Sequence, residues 1–270
     1  MGDSFGTRLR AGLDKRGPLC VGIDPHPQLL HAWGLDDSPA GLERFCHTVV
    51  DAAADVAAVA KPQSAFFERW GSRGIAVLER LLSDLREAGV LTVLDVKRGD
   101  IPSTMAAYAE AYLDEGSPLA CDAITVHPYL GFGSLSGAIA SAVGNDAGLF
   151  VLARTSNPEA AELQDLVADR ILDSVAATNA AGASHEPLGP VGVVLGATLP
   201  SIGYPLERLH GPVLVPGVGA QGASPADVAR LFAPVRHAVV PSVSRAVLTD
   251  PARLRERVTT YRDELAALLS

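Results

Sequence analysis

Three charged residues in one short segment are the first candidates for chemistry. Asp95 and Lys97 are two positions apart, so an extended backbone would place both side chains on the same side. Asp100 follows after a glycine, and the two carboxylates together would hold a central ammonium group charged and oriented. The same spacing also fits a structural salt-bridge network, and the residues alone leave both interpretations open.

Two more charges end short apolar runs elsewhere in the chain. Asp24 closes the run at 19–24, and Lys61 closes the run at 56–61. Buried aspartates and lysines are rare unless they are paired. Charges at the ends of these two runs and beside Asp95 therefore predict one shared site.

A glycine-rich loop is a candidate phosphate site. Residues 216–222 (PGVGAQG) combine three glycines with Gln221. Glycines let backbone N–H groups approach an anion closely, and a glutamine amide can close over it. Arg245, after the last apolar run, adds a forked cation that suits phosphate. An ordinary tight turn is the alternative, but two neighbouring elements agree on phosphate.

The histidines and cysteines indicate no metal centre. His26 and His127 have no second ligand at metal spacing, so we interpret them as hydrogen-bonded structural residues. Cys20, Cys46 and Cys121 lie far apart, and no Cys-x-x-Cys is present, which gives neither a disulfide framework nor a zinc signature. This cysteine usage is typical of a reduced, cytoplasmic protein.

Composition limits the class of protein. The 270 residues are 48% hydrophobic and 20% charged, which is enough apolar surface for a full core and argues against disorder. A net charge of -9 argues against a nucleic-acid partner, but a few local cations would still hold one phosphate. With no long apolar stretch and no basic-then-apolar start, we expect neither a membrane span nor a signal peptide.

Short β-branched runs bounded by Gly, Pro or Asp predict buried parallel strands. Eight such runs occur, at residues 19–24, 56–61, 91–96, 123–127, 149–154, 191–197, 213–217 and 238–243. Helical patterns between and after them predict helices at 74–89, 159–182, from 224, and 250–269, with a long loop at 182–192.

The repeated strand–helix units predict a single α/β domain over residues 1–270, a (β/α)8 TIM barrel; a doubly wound open sheet is the alternative. In such a barrel, catalytic residues collect at the carboxyl ends of the strands, where the polar residues above stand.

Six segments, in order, resemble those of the orotidine 5'-phosphate decarboxylases. The central one is the D-x-K-x-x-D pattern with its following Ile and Thr. They are 21–25 (VGIDP), 61–63 (KPQ), 94–104 (LDVKRGDIPST), 155–158 (TSNP), 216–222 (PGVGAQG) and 244–245 (SR). Residues 63–71 (QSAFFERWG) are similar to the longer bacterial (type 2) subgroup. Ala223 departs from the commoner form, as do the long fifth and sixth crossovers.

The resemblance implies decarboxylation of orotidine 5'-phosphate to UMP in pyrimidine biosynthesis, with no metal and no organic cofactor. Lys97 would stabilise the carbanion at C6 and donate the proton, and Asp95 would lie near the departing carboxylate. Asp100 would reach the neighbouring subunit's site in a homodimer. Lys61 would be the fourth catalytic residue, since with Asp24 it would extend the charged array and hold the ribose hydroxyls. Ser156 would bind the pyrimidine, Gln221 the base and phosphate, and Arg245 the phosphate. Thr104, like Asp100, would reach the neighbouring subunit's site and bind substrate there.

Three other functions remain compatible with the residues. A metal-dependent decarboxylase or aldolase of sugar phosphates would use Asp95 as a magnesium ligand. A Schiff-base aldolase would use Lys61 or Lys97, although carboxylates around Lys97 would keep it charged and unreactive. A binding protein without catalysis would hold a phosphorylated ligand and release no CO2. Gln221 and the turn at Ser156 favour a pyrimidine nucleotide.

Overall fold

A closed barrel of parallel strands forms the centre of the molecule. The computed structural model describes residues 2–182 and 186–270. Strands that follow one another in the chain are hydrogen-bonded neighbours in the sheet, and the first strand also pairs with the last. The strands are β1 (Cys20–Ile23), β2 (Val59–Pro62), β3 (Leu91–Arg98), β4 (Ala123–Val126), β5 (Gly148–Arg154), β6 (Val191–Leu195), β7 (Val213–Pro216) and β8 (Val239–Val243). The predicted (β/α)8 fold is confirmed.

Helices surround the barrel and connect its strands. They are α1 (Phe5–Arg16), α2 (Pro27–Ala32), α3 (Pro39–Ala53), α4 (Ala65–Glu68), α5 (Ser72–Glu87), α6 (Pro102–Leu113), α7 (Ser136–Gly144), α8 (Ala161–Gly182), α9 (Pro225–Leu231), α10 (Arg245–Leu248) and α11 (Leu254–Leu269). Among the described residues, none of these helices combines the length and the apolar character that crossing a bilayer requires.

The strand and helix predictions differ from the structure mainly at the ends of elements. β2 begins at Val59 rather than Val56, because the chain leaving α3 first turns through Asp55 at a φ of 64°. β3 continues to Arg98, two residues past its predicted end. The helices predicted at 159–182 and 250–269 each open with a 3₁₀ turn, at Pro158–Ala160 and Pro251–Arg253. Of the predicted loop at 182–192, residues 183–185 lie outside the described residues, and its end is already in β6.

Hydrophobic patterning explains how the outer helices attach. In α5, Leu78, Leu81, Leu82 and Leu85 are buried against the barrel, as their helical spacing predicts.

At the start of α9 the Ser224 side chain and the Asp227 side chain each accept from the other's backbone N–H, a capping box that fixes where the helix begins.

Helix α1 closes the end of the barrel where the strands begin. The ring of Phe5 meets the ring of Phe150 edge to face, with 6.1 Å between centroids. Arg8 pairs with Asp122, which directly precedes β4. With this end closed by side chains, the open end lies at the carboxyl termini of the strands.

Candidate active site

A cavity of about 570 Å³ opens at the carboxyl ends of the strands. Its volume is typical of sites that bind small molecules. Among the predicted site residues, those that line it are Asp24, Lys61, Asp95, Lys97, Ser156, Gln221 and Arg245. The prediction that charges from separate strand ends share one place therefore agrees with the geometry.

The floor of the cavity is a chain of ion pairs. The carboxylate of Asp95 receives the Lys61 ammonium on one oxygen, at 3.0 Å, and the Lys97 ammonium on the other, at 2.6 Å. The Nζ of Lys61 also lies 3.9 Å from Oδ1 of Asp24. Positive and negative charges thus alternate along the ends of β1, β2 and β3, which is how a protein holds charges that it buries.

Two of the floor groups, Asp95 and Lys61, have pKa values shifted from their usual ranges. Burial of Asp95 favours its neutral form, but Lys61 and Lys97 outweigh that effect and lower the pKa of this carboxyl. Burial of Lys61 likewise opposes its charge, yet Asp95 and Asp24 raise the pKa of this ammonium above its usual value. Both groups are therefore ionised at neutral pH.

Lys97 differs from Lys61 in its backbone and in its exposure. The Lys97 side chain is 46% exposed, against 8% for Lys61, so its ammonium is the floor cation that reaches into the cavity. Its φ is 44°, in the left-handed region that non-glycine residues rarely adopt. The extended backbone predicted between Asp95 and Lys97 is thus absent at Lys97, although the two side chains do meet.

Two residues that the sequence did not single out complete the floor. Gln63 donates from Nε2 to the backbone carbonyl of Asp95 at 3.1 Å, and its Oε1 lies 3.5 Å from the Lys97 ammonium. Thr125 on β4 donates to the Asp95 carboxylate at 2.8 Å. Gln63 was visible only as part of a motif, and a lone threonine in a strand gave no signal that separated it from core residues.

The rim of the cavity begins with the turn that follows β5. The backbone carbonyl of Ser156 accepts from the hydroxyl of Thr198 at 3.1 Å. Gln164 of α8 accepts from the backbone N–H of Thr155 at 2.6 Å. These contacts fix the backbone of the turn and leave the Ser156 side chain at the cavity wall.

The other side of the rim is the glycine-rich loop after β7. Gly217, Gly219 and Gly222 have φ values of 106°, 78° and 101°, which only glycine adopts without strain. Gln221 from this loop and Arg245 at the start of α10 are both exposed. Within the described chain Arg245 has no ion-pair partner, so its guanidinium is available to an anion.

Asp100 and Thr104 lie outside the cavity lining. One carboxylate oxygen of Asp100 accepts from the backbone N–H of Ile101 at 2.7 Å, and Thr104 is exposed in the first turn of α6. Within the described chain, the Lys97 ammonium meets Asp95 and Gln63 and makes no contact with Asp100.

Two of the seven histidines, His26 and His127, lie at or beside the site. The ring of His26 lines the cavity and lies 4.4 Å from the ring of Phe66. The Nδ1 of His127 accepts from the backbone N–H of Tyr129 at 3.4 Å. Among the described residues, no group of three or more His, Cys, Asp or Glu side chains is arranged to hold a metal ion.

Comparison with known proteins assigns this chain to one family. Residues 17–257 match the family model described as "Orotidine 5'-phosphate decarboxylase / HUMPS family". A protein of Streptomyces coelicolor named orotidine 5'-phosphate decarboxylase is 56% identical over 253 residues, covering 91% of this chain and 90% of that protein. One of the same name from Nocardioides sp. is 55% identical, covering 97% and 98%.

Solved structures agree with these sequence matches. A crystal structure from Streptomyces avermitilis, provisionally named an orotidine 5'-phosphate decarboxylase, superposes with a TM-score of 0.95 at 53% identity, covering 99% of this chain and 96% of that one. The structure of Leishmania donovani OMP decarboxylase gives a TM-score of 0.78 at 30% identity, with 98% and 99% covered. By family model, sequence and structure, this chain belongs to the orotidine 5'-phosphate decarboxylase family.

Proposed function

We propose that this protein converts orotidine 5'-phosphate to UMP and CO2. The observation that carries the proposal is the floor of the cavity, where Asp95 joins a buried Lys61 to a Lys97 ammonium that reaches into the cavity. Arg245 on the rim has no ion-pair partner among the residues that the structure describes, and its guanidinium supplies the complementary charge for a phosphate. The cavity thus offers a cation for the reacting carbon and another for the remote anion.

Lys97 carries the chemical step. The bond between C6 of the pyrimidine and its carboxylate breaks, CO2 leaves, and the electron pair remains on C6 in the plane of the ring. A fixed ammonium stabilises this charge without reorganising at the moment of reaction. A proton then passes from Nζ of Lys97 to C6, and the neutral amine regains a proton from water.

Asp95 holds Lys97 in place and adds a charge near the departing group. Its carboxylate remains ionised because Lys61 and Lys97 lower its pKa. A substrate carboxylate about 4 Å away would be repelled by roughly 4 kcal/mol at an effective dielectric near 20, and the loss of neutral CO2 relieves that repulsion. The stabilisation by Lys97 remains the main contribution.

The remaining residues hold the nucleotide. Asp24 and Lys61, at the ends of neighbouring strands, face the ribose hydroxyls. Ser156 on the β5 turn faces the pyrimidine, and Gln221 bridges base and phosphate. Arg245 binds the phosphate at the N-terminus of α10. Each of these side chains lines the cavity, which supports assigning them to one ligand.

A divalent metal is not required by this arrangement. Both carboxylate oxygens of Asp95 already face ammonium groups, so a magnesium ion there would have to displace a lysine. This favours the nucleotide decarboxylase over the metal-dependent sugar-phosphate enzymes. The three unlinked cysteines, Cys20, Cys46 and Cys121, support a cytoplasmic location.

The activity is tested by adding orotidine 5'-phosphate to the purified protein in excess EDTA and following the ultraviolet absorbance change to UMP. We expect unchanged turnover with and without the chelator. Activity that disappears in EDTA and returns with magnesium would favour the sugar-phosphate class. A carbonyl substrate trapped on the protein by borohydride would favour the Schiff-base aldolase.

We also propose that the working form is a homodimer in which Asp100 completes the partner's site. Asp100 and Thr104 both lie outside the cavity of their own chain. Exposed apolar residues follow the carboxyl ends of β3 and β4. Ile101, next to Asp100, is 53% exposed, and Tyr129 and Leu130 are 75% and 46% exposed. A contact between two copies would cover such a surface.

Mixing two inactive variants tests the shared site. In a dimer of one Lys97→Ala chain and one Asp100→Ala chain, one site carries both substitutions and the other carries neither. Refolding the two together should restore about a quarter of wild-type activity, from the statistics of random pairing in a two-fold dimer. A mixture that stays as inactive as its components would show that Asp100 acts in its own chain.

A further inference from the structure

Thr125 occupies an unusual place in the barrel. It lies within β4, is 1% exposed, and its backbone pairs with Phe150 of β5 in regular register. It lines the cavity, as part of the floor described above. A valine would fill this position equally well if packing alone mattered, so the hydroxyl needs a reason of its own.

The pairing of β3 with β4 is irregular beside this residue. Leu94 pairs with Ile124, but the next pair is Arg98 with Val126. From one pair to the next, β3 therefore advances by four residues while β4 advances by two. The surplus forms a bulge that contains Asp95 and Lys97, and bulges leave backbone groups without their ladder partners. Lys97 also has its φ of 44° in this bulge.

The hydroxyl of Thr125 satisfies both of the groups that the bulge displaces. It accepts from the backbone N–H of Lys97 at 2.9 Å and donates to Oδ1 of Asp95 at 2.8 Å. That same Oδ1 receives the Lys97 ammonium at 2.6 Å. One oxygen atom therefore links the backbone of Lys97 to the carboxylate that orients its side chain.

We propose that Thr125 is a positioning residue that holds Lys97 in its left-handed conformation and holds Asp95 toward the Lys97 ammonium. The proposal rests on the decarboxylase function above and deepens it. Without the hydroxyl, the Lys97 N–H and Asp95 Oδ1 each lose a buried partner. The bulge then relaxes toward ordinary strand geometry, and the ammonium leaves the place where charge develops on C6.

The test compares Thr125→Val, which keeps the shape and removes both hydrogen bonds, with Thr125→Ser, which keeps the hydroxyl. We expect Thr125→Val to lower kcat by about 10- to 100-fold, the size of effect that small misplacements of catalytic groups produce. KM for orotidine 5'-phosphate and the Kd for UMP should change by less than about threefold, because Arg245 and the rim are untouched. Thr125→Ser should retain kcat within about threefold of wild type.

Hydrogen exchange gives a second measurement that does not depend on activity. The backbone N–H of Lys97 should exchange faster in Thr125→Val than in wild type or Thr125→Ser. Thr92→Val is the matched control, a buried threonine of β3 at the opposite end of the barrel, and should change neither kcat nor exchange at Lys97. If Thr125→Val does not fold, Thr125→Cys replaces it, because the thiol is similar in size to the hydroxyl but is only a weak hydrogen-bond donor and acceptor.

The outcomes separate this proposal from the function on which it rests. A wild-type protein that does not convert orotidine 5'-phosphate would overturn the function, and exchange at Lys97 would still test the hydrogen bond. An active wild type with Thr125→Val at full kcat, or with the loss confined to KM, would overturn the positioning role. A loss of kcat that Thr125→Ser shares equally would also overturn it, since the hydroxyl would not be the cause.

Discussion

The floor and the rim of the cavity are built in opposite ways. On the floor, Asp95 and Lys61 are each 8% exposed, and every charge already has a partner. On the rim, Gln221 and Arg245 are exposed and stand on a glycine loop and a four-residue helix. Folding alone therefore sets the floor charges in place. In the function proposed above, phosphate recognition is left to rim groups that become ordered when the ligand binds.

This division has a physical reason. Charge stabilisation accelerates a reaction most when the dipoles and ions are in place before the reaction begins. Binding energy from a remote phosphate, in contrast, is useful when it draws a loop over the substrate and excludes water. Floor substitutions should therefore lower the rate of the chemical step or the stability of the fold, whereas rim substitutions should weaken only the recognition of the substrate phosphate.

The largest effect should come from removing Lys97, the floor cation that reaches into the cavity. Lys97→Ala should lower kcat by at least about 10⁴-fold, since it removes both a charge-stabilising group and the proton donor. The Kd for UMP, measured by calorimetry, should stay measurable because the rim is intact. Near-normal turnover would show that Lys97 is not the proton donor.

The next effect concerns stability. Asp95→Asn leaves Lys61 buried with only Asp24 at 3.9 Å, so the free energy of unfolding in urea should fall by about 3 kcal/mol. Glu256→Gln is the control, because it breaks an exposed ion pair with Arg253 on the outer surface and should leave stability nearly unchanged. Equal losses in the two variants would contradict the view that the floor is a buried, interdependent network.

A smaller effect should appear on the rim. Arg245→Ala should lower kcat/KM for orotidine 5'-phosphate by about 10- to 100-fold, since a charge-assisted contact to phosphate is lost. The slow decarboxylation of orotidine, which lacks the phosphate, should barely change. If both substrates lose equally, Arg245 acts on the chemistry, and the distinction between floor and rim fails.

The smallest effect is a pH dependence of the stability difference between wild type and Asp95→Asn. The pKa of Asp95 is lowered in the folded state, so its carboxylate stabilises the fold above the unfolded pKa of about 3.9. This contribution is lost as the pH falls below that value toward the folded pKa. The difference should be constant from pH 5 to 7 and narrow by about 1 kcal/mol between pH 4 and 3. A difference that does not narrow would mean that Asp95 is not held ionised by its neighbours.

Sequence patterns were sufficient to predict the barrel and many of the residues that line the cavity. Parallel strands buried on both faces leave continuous apolar runs, which is why the predicted strands agree with the structure to within a few residues. The charges at Asp24, Lys61 and Asp95 were informative because burying an unpaired charge costs much free energy. Their position in apolar runs therefore predicted that they pair with one another.

The floor's fine geometry could not be predicted in the same way. The bulge at Lys97 depends on how β3 and β4 register against each other, a contact between residues distant in sequence. Thr125 has the β-branched shape of any strand residue, so its hydrogen bonds appear only once the bulge is known. The place of Asp100 outside its own cavity is likewise a property of the fold and not of the D-x-K-x-x-D spacing.

Helix α1 closes one end of the barrel, and the last residues of α11 lie beside it. Leu269 and Ser270 share a groove with Arg10 and Asp14 of α1, next to the start of β8 at Val239. Both described chain ends therefore emerge on the side away from the substrate cavity. An affinity tag, a fluorescent reporter or a second enzyme fused at either end would leave the cavity mouth clear, so kinetic constants measured on such fusions should match those of the unfused protein.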